Sequence, residues 1–255
     1  MARFNQIRSV GFSSDAPQAH RSAARALQRD LGVDLSEGSA AERATLRLWT
    51  AQDAFAGAPF ATRLQELLKK NIAHQDRSWH AVFATGETLH VTGSSPRAVA
   101  FGALAIRDAA QGTRPSAAQE GLHVDAFAER LVTWDQTCNQ TARFSKGFDR
   151  ARHFEEACRM GLTGVEINRS PDQNVYQVTH LRRAEDPYPW VNDYGLALDM
   201  YAESALNVGT YPPEVIARHR ADLEEAGREA QRWDLVPGMM CYEPRWVPEM
   251  FFERH

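Results

Sequence analysis

His80–Gly112, HAVFATGETLHVTGSSPRAVAFGALAIRDAAQG, is the stretch whose reading decides the fold. Trp79 to Ala84 and Thr88 to Thr92 are two short β-prone runs, and Thr85-Gly86-Glu87 between them has the length and composition of a hairpin loop. Ser95 then offers a hydroxyl to cap a helix, with Pro96 at the first helical position, where a missing N–H costs nothing. Val99, Ala103, Ile106 and Ala110 recur at helical spacing before Gly112 stops the run. A period of two switching to a period near 3.6 predicts a hairpin followed by a helix that folds back onto it.

Outward from this stretch the first 118 residues repeat the same vocabulary. Asp15, with Pro17 and Gln18 behind it, reads as a helix start, and Ala23, Leu27 and Leu31 follow at helical spacing before Gly32. Thr45 to Thr50 (TLRLWT) alternates as a strand does. The order helix, strand, hairpin, helix predicts a small α+β domain over residues 1–118, its sheet covered on one side by two helices. Residues 113–118, which hold Arg-Pro-Ser and two alanines, have loop composition and form the natural boundary.

Beyond the boundary the grammar changes. Leu131 to Trp134 is a short apolar run, Phe148 to Met160 a helix with Phe148, Ala151, Phe154 and Cys158 on one side, and Leu162 to Asn168 a second strand. A segment rich in proline and aromatics follows, then a helix from Pro212 to about Trp233 with Ile216, His219, Leu223, Ala226, Ala230 and Trp233 on its apolar stripe. Its charged residues Arg218, Arg220, Asp222, Glu224, Glu225, Arg228 and Glu229 read as a solvated face. Leu235 to Cys241 is a third strand, ahead of Glu243-Pro-Arg245. Crossovers this long imply parallel pairing, so residues 126–255 read as the opening of a (β/α)8 TIM barrel in an α/β chain. A full barrel takes about 200–250 residues, whereas this span has 130 and about three strands. The expectation is that a C-terminal half is missing, or that a partner such as a second copy completes the sheet.

Composition excludes several classes. With 43% hydrophobic and 24% charged residues in 255, the chain is neither disordered nor fibrous. A net charge of −4 and no basic run leave no footprint for nucleic acid. No stretch approaches the roughly 20 apolar residues of a membrane span, and the first ten residues lack a signal-peptide core. Cys138, Cys158 and Cys241 lie far apart and are odd in number, which fits a reducing, cytoplasmic setting better than a disulfide framework. The nine histidines show no metal spacing and there is no glycine-rich phosphate loop, so neither metal nor cofactor is expected.

The segment His80–Gly112 resembles the small α/β domain that precedes the barrel in family 20 hexosaminidases and family 67 α-glucuronidases. In those proteins a glycine-turn hairpin leads into a Ser-x-Arg-x-x-x-x-Gly helix, here Ser95, Arg97 and Gly102. Arg130-Leu-Val-Thr-Trp-Asp135 is similar to the first barrel strand of the α-glucuronidases, which also ends in Trp-Asp, and Gly161 to Asn168 is similar to their second. The resemblance implies a glycosidase acting on an oligo- or polysaccharide. It also implies that the catalytic acids of these families, which come from later strands, fall beyond His255. The family 20 enzymes hold the terminal sugar with an arginine where this chain has Trp134-Asp135.

In such barrels chemistry sits at the C-terminal ends of the strands, which singles out Trp134, Asp135, Asn168, Arg169, Glu243 and Arg245 as substrate-binding candidates. Asn168 both donates and accepts, as sugar hydroxyls require, with a turn role before Ser170-Pro171 as its equal alternative, and either arginine is able to grip a uronic carboxylate with two parallel hydrogen bonds. Asp135 and Glu243 are the candidate acid pair for glycoside hydrolysis. The competing role for Asp135 is binding sugar hydroxyls, and for Glu243 an ion pair with Arg245 or Arg169. Glu166 shares a strand face with Asn168 and needs a buried partner if that face is interior. Tyr188, Trp190, Tyr211 and Trp246 are loop aromatics suited to stacking on a sugar ring or to packing over the barrel mouth. A carbohydrate-binding or assembly half-barrel without catalysis is the alternative function. A sugar isomerase ranks last, because it would need a carboxylate and histidine metal cluster.

Overall fold

The computed structural model describes residues 4–71, 77–113, 118–132, 149–167 and 213–238. The chain is α/β and divides into two compact units. One comprises Met1–Arg130 with Glu155–Thr163 and Gln231–Leu235, and the other Leu131–Phe154 with Gly164–Ala230 and Val236–His255.

The first unit holds strands β1 (Ser9–Phe12), β2 (Asp34–Glu37), β3 (Leu46–Leu48), β4 (Trp79–Thr85), β5 (Thr88–Gly93) and β6 (Gly121–Val124). Its helices are α1 (Gln18–Leu31), α2 (Ala51–Gly57), α3 (Ala61–Lys70) and α4 (Pro96–Ala110). The six strands form one sheet in the order β2-β1-β3-β5-β4-β6. β2, β1, β3 and β5 are mutually parallel, with Val10 opposite both Leu35 and Leu46 and Arg47 opposite His90. β4 runs antiparallel to β5 and to β6. The predicted hairpin is the β4–β5 pair, closed at Gly86, whose φ of +60° only glycine adopts without strain.

Helices cover both faces of this sheet, which corrects the expectation of two helices on one side. α1 and α4 pack together over one face. On the other, Ala54, Ala58, Phe60 and Leu64 of α2, α3 and their junction form a cluster with Trp79, Ala81 and Phe83 of β4. The start of α1 is also corrected: Pro17, not Asp15, flanks its first turn, and Asp15 accepts from the Ser13 hydroxyl.

Each residue of the Ser95, Arg97, Gly102 motif has a mechanical role. Ser95 Oγ accepts from the Ala98 N–H at 3.2 Å. The Arg97 N–H donates to Asp234 Oδ2 at 3.1 Å, so two of the orphan donors of α4 are satisfied by side chains. The Arg97 guanidinium donates to the carbonyls of Asp234 and Thr163, at 2.7 and 3.2 Å. Asp234 itself sits at φ +56°, a left-handed conformation that aspartate tolerates better than most residues. At Gly102 a Cβ would meet Val91 Cγ1 at 2.8 Å and the His80 ring at 3.0 Å, so only glycine lets α4 lie this close to the sheet.

The far end of α4 carries charge into the interior. Arg107 is 2% exposed and donates to Glu155 at 2.6 Å, Asp30 at 3.0 Å and Asp108 at 3.1 Å. Arg29 binds both carboxylate oxygens of Glu155, and Arg159 reaches Asp108 at 3.1 Å. Arg159 also binds Glu156, so three arginines face four carboxylates, and every buried charge of the group has an opposite partner. Cys158, fully buried beside this group, has its thiol pushed up to about 12 by burial.

The second unit holds β7 (Leu131–Val132), β8 (Gly164–Glu166) and β9 (Val236–Gly238) in a parallel sheet of that order, with Leu131 opposite Gly164 and Gly164 opposite Val236. Helices α5 (Arg150–Arg159) and α6 (Pro213–Arg232) precede β8 and β9 in the chain. Ile216, Ala226 and Ala230 are buried on the predicted stripe of α6, while the His219 side chain lies outside the described residues. Two side chains depart from expectation. Glu229 is buried rather than solvated, because three residues after Ala226 it falls on the edge of the buried stripe. Ala151 is exposed, and Phe154, Glu155, Ala157 and Cys158 are the buried positions of α5. Among the described residues no helix is long and apolar enough to cross a membrane.

Replacing Arg107 with Met is expected to take the buried partner from Glu155 and Asp108, leaving them Arg29 and Arg159 on the solvent side, and to lower the unfolding free energy by about 3 kcal/mol. Urea denaturation measures this, and an unchanged midpoint would show the network to be solvated. A second expectation concerns His20, 1% exposed, neither of whose ring nitrogens has a hydrogen-bond partner among the described residues. Burial lowers its pKa to about 4, the Asp53 charge opposing. The unfolded chain therefore binds this proton more tightly, so the contribution of neutral His20 is present in full above about pH 6.5 and is lost as pH falls through about 4. His20→Leu is expected to leave stability at pH 7 unchanged or raised, and to flatten the fall in stability between pH 6.5 and 4.

Candidate functional site

Three parallel strands of one sheet point their C-terminal ends to one edge, the place where barrel enzymes put chemistry. In the second unit those ends are Val132, Glu166 and Gly238. The six predicted residues follow them in the chain: Trp134 and Asp135 after β7, Asn168 and Arg169 after β8, Glu243 and Arg245 after β9. All six, with the aromatics Tyr188, Trp190, Tyr211 and Trp246, lie outside the described residues. Glu166 belongs to β8, and its side chain lies outside them too. Among the described residues no group of histidine, cysteine, aspartate and glutamate is arranged to hold a metal ion.

A second candidate, which sequence reasoning did not single out, is in the first unit. A crevice of about 900 Å³ opens beyond the C-terminal ends of β1, β2 and β3. The turn after β1 supplies Ser13 and Ser14, the 3-10 helix after β2 (Gly38–Arg43) supplies Ser39 and Glu42, and β3, the residue after it and the start of α2 supply Arg47, Trp49 and Asp53. Its position follows from the topology. The chain leaves β1 for α1 on one face and leaves β3 for α2 on the other, so the two neighbouring strands part at their ends.

The interior holds the crevice wall in place through a relay of ring contacts. Trp49 Nε1 donates to His90 Nδ1 at 3.1 Å. A neutral imidazole that accepts at Nδ1 carries its proton on Nε2, which donates to the Thr85 hydroxyl. Burial, and secondarily the Arg47 charge, lowers the His90 pKa to about 4, so the ring is neutral and the acceptor stays available near neutral pH. Phe60 meets the Trp49 ring edge-on, centroids 5.9 Å apart. Over that ring lies the Arg47 guanidinium, 4.3 Å from the centroid. No carboxylate pairs with Arg47 among the described residues. Asp53 accepts from the Thr50 hydroxyl at 2.7 Å and is otherwise exposed, as is Glu42. The signal for this wall was in the alternation of TLRLWT, which puts Arg47 and Trp49 on one face of β3.

No protein-family profile matches the chain, and no curated protein matches it in sequence. Among solved structures it is similar to a GH138 enzyme targeting pectin rhamnogalacturonan II, at 11% identity over 96% of this chain and 26% of that one, with a TM-score of 0.49. It is also similar to a mutant Streptomyces plicatus β-hexosaminidase in complex with its product GlcNAc, at 15% identity over 91% of this chain and 41% of that one, TM-score 0.44. A third is a GH115 4-O-methyl-α-glucuronidase with specificity for decorated arabinogalactans, at 13% identity over 62% and 24%, TM-score 0.43. The chain spans a quarter to two fifths of the length of these proteins.

Trp49→Phe keeps a ring under Arg47 but removes the indole donor and leaves His90 Nδ1 buried without it. The expected cost is about 1–3 kcal/mol of unfolding free energy. Urea denaturation at pH 7 reads it, and an undiminished midpoint would show that the Trp49–His90 bond does not hold the wall.

Proposed function

We propose that this chain is the N-terminal portion of a glycoside hydrolase, with a small α/β domain over residues 1–118 and the first strands of a (β/α)8 barrel over 126–255. The observation that carries this reading is the common C-terminal edge of β7, β8 and β9, with Trp-Asp, Asn-Arg and Glu-Pro-Arg following its three strands in order. The resemblance of Ser95, Arg97, Gly102 and the Trp134-Asp135 strand end to family 20 and family 67 enzymes supports it. In this reading the six residues grip the sugar: carboxylates accept from its hydroxyls, Asn168 bridges donor and acceptor, the arginines donate, and Trp134 covers an apolar ring face. The residues that cleave belong to later strands, and Asp135 and Glu243 serve as binding groups.

A half-barrel that binds or assembles without cleaving is the second reading, favoured by Leu131 and Val236, 62% and 60% exposed on the two outer strands. Hydrolysis of a panel of aryl glycosides by the protein purified from its native source, with its intact mass, separates the two. The first reading expects hydrolysis and a polypeptide longer than this one, and Asp135→Asn is expected to raise KM about tenfold or more through a lost hydrogen bond to the substrate. A product that ends at His255 and cleaves nothing overturns the hydrolase.

A further inference from the structure

We infer that the crevice of the first unit is a second, non-catalytic saccharide site that takes a neutral sugar; the inference rests on the glycosidase reading for its choice of ligand class. Its volume of about 900 Å³ lies in the range of small-molecule sites, and its place at the parting of β1 and β3 is where open α/β sheets bind ligands.

The donor set defines the ligand. Ser14 brings a hydroxyl that both donates and accepts, Ser13 one that accepts while its proton goes to Asp15, Glu42 and Asp53 bring carboxylates that only accept, and Arg47 brings the one guanidinium, which only donates. A vicinal diol presents matching donors and acceptors at short spacing and carries no charge. A phosphate or uronate would gain Arg47 but would face Glu42 and Asp53, which together outnumber it. A cation would face the reverse, with no cluster of ligands among the described residues to hold it. Arg47 meets the ligand preorganised, because its guanidinium rests over the Trp49 ring and His90 and Phe60 hold Trp49.

Saturation-transfer NMR on the full chain tests this, with cellotetraose, xylotetraose and chitotetraose as neutral probes and trigalacturonate as the charged one. At least one neutral probe is expected to bind in the millimolar range. Arg47→Ala is expected to weaken it about tenfold or more, and Asp53→Asn to weaken it less, both with an unchanged thermal midpoint. Arg47→Lys keeps the charge but not the guanidinium donors and is expected to fall between wild type and Arg47→Ala. Three results overturn the site: no probe binds, trigalacturonate binds more tightly than every neutral probe, or binding survives Arg47→Ala and Asp53→Asn. In the last case, loss of binding on Asp135→Ala would place the sugar at the barrel edge, which sinks the crevice site and leaves the hydrolase reading standing. Hydrolysis of aryl glycosides, measured separately, is indifferent to Arg47→Ala.

Discussion

A guanidinium taken out of water must recover in contacts what it loses in hydration, and Arg107 does so through three carboxylates from three chain segments. Asp30 ends α1, Asp108 is its own neighbour on α4, and Glu155 lies on α5. The fork geometry fixes the direction of each acceptor, so the three segments are held at defined mutual angles as well as distances. Arg29 and Arg159 complete the neutralisation from the solvent side. A core of alanines and glycine, as along α1 and α4, packs closely but has few large side chains to specify register. The buried ion network supplies specificity that this small-residue interface lacks.

The other end of α4 obeys the same logic with backbone groups. The Arg97 guanidinium collects two carbonyls from turns that follow α5 and α6, and the Asp234 carboxylate returns a bond to the α4 N-terminus. The favourable interaction of an anion with a helix N-terminus adds to the hydrogen bond, which helps hold Asp234 in its left-handed conformation. α4 is thereby tied at both ends, and the sheet beneath it is fixed against a rigid helix. That rigidity extends through β5, where His90 and Arg47 are direct neighbours across the β3–β5 ladder.

What was legible in the sequence divides by how locally each signal is written. The β4–β5 hairpin and α4 were read to within a residue because Gly86, Ser95, Pro96 and the Val99, Ala103, Ile106 stripe each act on their own neighbours. β1 (SVGF) was missed because glycine interrupts its pattern and the strand is buried on all sides by pairing partners on both edges. β2 (DLSE) was missed because an edge strand with exposed ends carries polar residues. α2 and α3 are short and separated by Ala58-Pro59, and their burial depends on meeting Phe83 and Trp79, some 20 residues on. The alternation of TLRLWT put Arg47 and Trp49 on one side, but nothing local marks them as a crevice wall until β1 and β3 part above them. The six residues after β7, β8 and β9 were named from strand ends alone, a rule of topology that needs no side-chain contact.

The motif that gives the chain its resemblance touches no chemistry. Ser95 caps, Arg97 clamps two turns and Gly102 admits the sheet, so each residue is explained by folding alone. A motif of this kind marks an architecture, and the same architecture hosts different reactions. Specificity must then reside in side chains free of structural duty, at strand ends or in the crevice. Arg47 meets that criterion in the first unit. Its guanidinium has a stacking partner but no carboxylate among the described residues, whereas Arg29, Arg97, Arg107 and Arg159 are all engaged in ion pairs or carbonyl contacts. Resting an arginine on an indole while its donors have no carboxylate among the described residues adds little to stability, and its use is to have those donors ready for a ligand.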